Sequence, residues 1–135
     1  MEYYVKKYTL KNKNKMATLT TKLELSGANL TSDALSISVT DVLAVTNPTV
    51  PMARLSIATG SAQTIVPSNS AFSYVYVKVI SGTNATDWVQ VKFGGNVVSK
   101  MRVGEFLFLP IYNATVVQGE AQGGACIVEY GYWSI

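Results

Sequence analysis

Histidine is absent from all 135 residues, and cysteine occurs once, as Cys126. Without histidine there is no imidazole general base, no Ser-His-Asp triad and no imidazole metal ligand. A single cysteine excludes an internal disulfide and a thiolate zinc cluster. Charge is scarce as well. Charged residues make up 14% of the chain, against roughly 25% in an ordinary soluble domain. No run of apolar residues approaches the roughly 18 needed to span a bilayer. The lysines near the start are followed by Asn12, Asn14 and Lys15, not by the apolar core of a signal peptide. The expectation is synthesis in a reducing cytoplasm, no membrane partner, and Cys126 as a free, buried thiol.

The charge that is present is unevenly placed. Residues 1–15 carry Lys6, Lys7, Lys11, Lys13 and Lys15 against Glu2, a balance of +4. Residues 16–135 carry six basic and seven acidic side chains, a balance of −1. The overall +3 therefore belongs to a leader, and the remainder is nearly neutral with 13 charges in 120 residues. Free monomers keep more charge than that on their surfaces. A chain whose surfaces are covered by neighbours does not need it. The composition thus points to a component of an assembly.

What the sequence has in abundance is β-formers. Val, Ile and Thr number 17, 7 and 13, a composition that fits pleated, half-buried surfaces. The dominant period is two. Leu35, Ile37 and Val39 alternate with Ser36 and Ser38, and Phe72, Tyr74 and Tyr76 alternate with Ser73, Val75 and Val77. Strands are expected at 18–25, 35–39, 53–59, 62–66, 72–80, 88–93, 96–103, 105–111, 114–118 and 125–133. Gly94-Gly95 reads as a two-residue hairpin turn, and 119–124, bounded by glycines, reads as a loop. No amphipathic helix of ten residues is present. Short strands at about ten-residue spacing define the expected fold: a single all-β domain, a β-sandwich or jelly roll spanning 16–135, with 1–15 as an extended N-terminal arm. Its edge strands need cover, and pairing with neighbouring subunits supplies it.

Catalytic chemistry is thinly provided for. The eight carboxylates are scattered, and no two share one strand face. Ser99 and Lys100 are neighbours, so on a strand they point to opposite sides. No phosphate-binding loop and no metal-ligand spacing occurs. The expectation is no enzyme activity, no catalytic residue, no cofactor and no metal. Three Asn-X-Thr triplets, at Asn29, Asn84 and Asn113, are read as strand-end and loop chemistry.

Two aromatic clusters remain as candidate partner-binding residues. Tyr3, Tyr4 and Tyr8 interleave with Lys6 and Lys7 in the arm. That mixture can stack on and neutralise nucleic acid. It packs equally well on an acidic protein surface, rings buried and ammonium groups at the rim, and this is the preferred reading. Tyr130, Tyr132 and Trp133 close the chain. They read as a final core strand or, as Tyr and Trp are frequent hot-spot residues, as an interface strand. Trp88 carries a similar choice between core and sugar stacking.

The stretch 72–133 resembles small virion structural proteins of tailed bacteriophages. The carrying residues are Tyr74-Val75-Tyr76-Val77-Lys78-Val79, Trp88-Val89-Gln90-Val91, Gly104-Glu105-Phe106-Leu107-Phe108-Leu109-Pro110 and Cys126-Ile127-Val128-Glu129-Tyr130. The resemblance implies a compact β-sandwich that decorates or cements a capsid, with the major capsid protein and copies of itself, as dimer or trimer, for partners. It carries over no active-site residue. The alternative is a fibre- or tail-associated module that recognises a receptor or glycan. The location expected under either reading is the virion.

Overall fold

The computed structural model describes residues 17–28, 34–45, 52–69, 71–112 and 114–135. Among these, ten strands form and no helix does: β1 (Ala17–Gly27), β2 (Leu35–Val45), β3 (Ala53–Ile57), β4 (Gln63–Val66), β5 (Tyr74–Gly82), β6 (Trp88–Phe93), β7 (Asn96–Arg102), β8 (Phe106–Pro110), β9 (Val117–Gln122) and β10 (Cys126–Trp133). All pairings between named strands are antiparallel. The all-β expectation holds. The arm, 1–15, lies outside the described residues.

Three sheets result. β1 and β2 pair only with each other. Sheet I has the order β3-β10-β5-β8, and sheet II the order β4-β9-β6-β7. Successive strands cross between sheets I and II at every step except β6 to β7. Two four-stranded sheets wound in this alternating order form a jelly roll. The exception is the hairpin turned by Gly94 (φ 56°) and Gly95 (φ 85°). Two successive positive φ values define a type I′ turn, which only glycine, Asn or Asp adopts cheaply.

Period-two alternation places the core. Val75, Val77 and Val79 of β5 are fully buried, and they oppose Tyr132, Tyr130 and Val128 of β10. Val89 and Val91 of β6, Val117 of β9 and Met101 of β7 cover them from sheet II. Burying a valine of this kind contributes about 1.5–3 kcal/mol. This valine-lined interior is a filled core.

One expected boundary is corrected. The residues 119–124 are not a loop: β9 runs through Val117–Gln122, with Gly119 in its middle. Gly119 is there for closeness of packing. A Cβ at this position would stand 3.1 Å from Ile65 Cδ1 and 3.3 Å from both Ile57 Cδ1 and Val89 Cγ1. The turn that glycines do make begins one residue beyond β9, at Gly123 (φ 91°). β2 is also longer than expected and runs on to Val45.

The β5–β6 loop is held by Asp87, whose side chain is 2% exposed. Its carboxylate accepts the Asn84 backbone N–H at 2.6 Å. Gly123 and Gly124 close over it, each so near that a Cβ would lie 2.5 Å from a carboxylate oxygen. The neighbouring Cys126 is a buried free thiol. Burial, and secondarily the Asp87 charge, pushes its pKa up, so it is held as an unreactive thiol.

Candidate interaction surfaces

The β1–β2 register puts its large aliphatics, all but Val42, on one face. Leu19 pairs with Leu43, Leu23 with Val39 and Leu25 with Ile37. The opposite face carries Thr18, Thr20, Lys22, Glu24, Ser36, Ser38 and Thr40, with Val42 as its one large aliphatic. Lys22 and Glu24 form an ion pair there, at 2.5 Å. At the Val45 end the apolar face is partly covered: Leu19 and Leu43 are half-buried and Val45 is buried. Toward the far end it is not: Leu23, Leu25, Ile37 and Val39 are 43–56% exposed. A two-stranded hairpin alone is marginally stable in water. One that also leaves such a stripe exposed is short of a covering partner.

Between this hairpin and sheet I runs a groove of about 580 Å³. Its hairpin wall includes Leu23 and Val39 together with Thr21, Lys22 and Asp41. Its other wall is Tyr76 with Phe106, Leu107, Phe108 and Leu109. Side chains from both faces of β8 line it, so the groove follows the outer edge of that strand. Phe106 is 64% exposed. The outer face of sheet I continues the groove as an aromatic surface. Tyr74 stacks on Phe108 at 5.4 Å, and Phe108 meets Trp133 at 6.3 Å. Burial, and next the Glu129 carboxylate, raises the Tyr76 hydroxyl pKa.

The outer face of sheet II is polar. Lys92 pairs with Glu120, to which Gln122 also donates. The Lys92 hydrogen bond holds the Glu120 carboxyl below its ordinary pKa. Trp88 lies on this face, and the Lys100 ammonium sits 4.2 Å from its ring centroid. That cation covers the ring face that a sugar would stack on.

The candidate residues at the chain end are divided between two surfaces. Tyr130 and Tyr132 pack against the core, with Phe72 4.5 Å from the Tyr132 ring. Burial, and then Tyr130, raises the Tyr132 hydroxyl pKa. Trp133 takes the opposite face and joins the outer aromatic surface. β10 is an interior strand, between β3 and β5, so its backbone is already paired on both sides. Tyr3, Tyr4, Lys6, Lys7 and Tyr8 lie outside the described residues. Among the described residues, no group of three or more Cys, Asp or Glu stands close enough to hold a metal ion. No helix among them is long and apolar enough to cross a membrane.

The exposed aliphatics of the hairpin and the β8 edge were not singled out by the sequence. Their signal was present as alternation at 18–25 and 35–39 and as the apolar run Phe106–Leu109. Alternation shows that a strand has an apolar face, not whether the fold covers it. No family model, no curated protein and no solved structure matches this chain.

Proposed function

We propose that this chain is a non-enzymatic structural protein of a phage virion, a decoration or cement protein bound to the major capsid protein. The observation that carries this reading is the hairpin whose apolar face stands uncovered on a charge-poor domain. Such a surface suits a subunit that functions with its faces against neighbours. Three further points support it: the jelly roll, an architecture shared by viral capsid domains; the resemblance of 72–133 to virion structural proteins; and the +4 leader.

In this role the hairpin tip and residues 1–15 contact the capsid lattice, and free strand edges contact adjacent copies. Attachment adds buried area across junctions between capsomers, and so opposes the outward pressure of packaged DNA. Several neighbours together supply the about 1,200–2,000 Å² of a standard interface.

The fibre or tail module is the weaker reading. The β8 wall of the groove is Phe106, Leu107, Phe108 and Leu109, apolar side chains that are a poor match for the hydroxyl groups of a glycan. The face of Trp88 is already occupied by Lys100. The deciding experiment is quantitative mass spectrometry of purified particles. A copy number comparable with that of the major capsid protein is expected. Absence from particles removes the proposal, and a few copies per particle would favour a fibre or tail position.

A further inference from the structure

Among the described residues, the jelly roll has four edge strands: β3 and β8 in sheet I, β4 and β7 in sheet II. Proteins protect such edges with charge, register shifts or very short strands. Three of the four are protected. β3 carries Arg54, paired with Glu129. β4 has four residues and an irregular register. β7 carries Lys100 and Arg102 and also a register shift. β8, Phe-Leu-Phe-Leu-Pro, has no charge, no polar side chain and no register shift against β5.

Its outward main-chain groups can be assigned by parity. Ile111 N–H donates to the Ser73 carbonyl at 2.8 Å, and Val79 N–H donates to the Glu105 carbonyl at 3.0 Å. Odd-numbered residues therefore direct their polar groups to β5, and Phe106, Phe108 and Pro110 direct theirs to the free edge. Pro110, which has no N–H to offer, blunts one end of this edge and leaves Phe106 and Phe108 as its open main-chain donors.

We infer that β8 is a self-association edge: a second copy of this chain adds its own β8, antiparallel about a twofold axis, along the groove beneath the hairpin. With the axis at Phe108, the two Phe108 residues exchange both main-chain hydrogen bonds. Each Phe106 N–H then donates to the Pro110 carbonyl of the other copy. Sheet I becomes a continuous eight-stranded sheet, and each hairpin covers the strand that the other copy brings. A twofold interface uses the same patch on both subunits, and an uncharged five-residue strand meets that condition. Lys22, the one cation lining the groove, is already paired with Glu24, and Asp41 is the other charged lining residue, so the groove presents no cluster of like charge to a strongly basic or acidic partner. Leu23, Val39, Phe106 and Leu109, which line the groove, are each 40–64% exposed, so a second β8 laid there has apolar surface to cover.

This inference rests on the assembly reading above, but it is tested on the purified full chain. Failure here leaves particle copy number to judge the virion role separately. Sedimentation at up to about 100 μM, a concentration that populates any micromolar dimer, should give twice the 14.6 kDa chain mass. Phe106→Lys should raise the dissociation constant at least about tenfold. Val97→Lys, on the exposed edge strand β7, should leave it unchanged. Backbone hydrogen exchange of the unmutated chain gives an independent readout if Phe106→Lys misfolds. The Phe106 and Phe108 amides should slow as concentration rises. A monomer throughout, a trimer, a dimer unaffected by Phe106→Lys, or exchange at Phe106 and Phe108 independent of concentration would each overturn the assignment.

Discussion

Gly119→Val should destabilise the domain by about 3 kcal/mol, the upper part of the range for forcing carbon into a filled core. The position is in the middle of β9, where even a Cβ comes within 3.1–3.3 Å of Ile65, Ile57 and Val89. Those three side chains are themselves buried at 0–3% exposure, so none can swing into solvent. The γ carbons of valine have no free volume to enter. Gly119→Ala asks for shifts of a few tenths of an ångström at the tips of flexible side chains, and should cost about 1 kcal/mol. Thermal unfolding provides the check. At about 4 °C per kcal/mol for a domain of this size, the valine variant should melt about 12 °C lower. A melting temperature within about 2 °C of the parent would show that β9 is not packed as described.

Asp87→Ala should cost a similar amount, about 3 kcal/mol, for a different reason. It strands the Asn84 backbone N–H that the carboxylate accepts, and it empties a buried site. Asp87→Asn keeps the volume and one acceptor oxygen, and should cost about half as much. The coupling to the glycine pair is the sharper test. Gly124→Ala places a Cβ 2.5 Å from Asp87 Oδ2 and 2.7 Å from Thr83 Cβ. Removing the carboxylate removes the first of these clashes. The Asp87→Ala and Gly124→Ala changes should therefore be less costly together than the sum of the two alone, by about 1 kcal/mol in a double-mutant cycle. Urea unfolding midpoints at unchanged slope give these values. Strict additivity would contradict the packing of the Gly123–Gly124 turn on Asp87.

These two sites also show what the sequence did and did not carry. Gly94-Gly95 was legible as a hairpin because a two-glycine turn between alternating strands has one common solution. Gly119 and Gly124 look the same on paper, yet one relieves crowding inside a strand and the other clears space for a carboxylate. That difference depends on strands far apart in sequence: Ile57, Ile65 and Val89 come from β3, β4 and β6. Strand periodicity survived in β5 and β6 because both have one buried and one outward face. Sheet order could not be read, because six of the sandwich's eight strands pair only with strands that do not adjoin them in the chain. Only β6 and β7 are both sequence and sheet neighbours.

The candidate surfaces follow the same logic. Tyr130, Tyr132 and Trp133 were chosen for residue type, and alternation then split them between core and outer face. Phe106 and the hairpin leucines look like core residues by type. They are conspicuous only once the fold leaves them uncovered. The charge deficit was the one sequence signal that anticipated this, because it is a property of the whole surface and not of any strand.

The central claim is that the hairpin's apolar face is covered when the protein is at work. Oxidative footprinting of purified particles, with the free chain at high dilution as reference, measures this directly. The account predicts that labelling of Leu25 and Ile37 falls several-fold in the particle, while Val97 on β7 is labelled alike in both. Equal labelling of the hairpin in the two samples would contradict it.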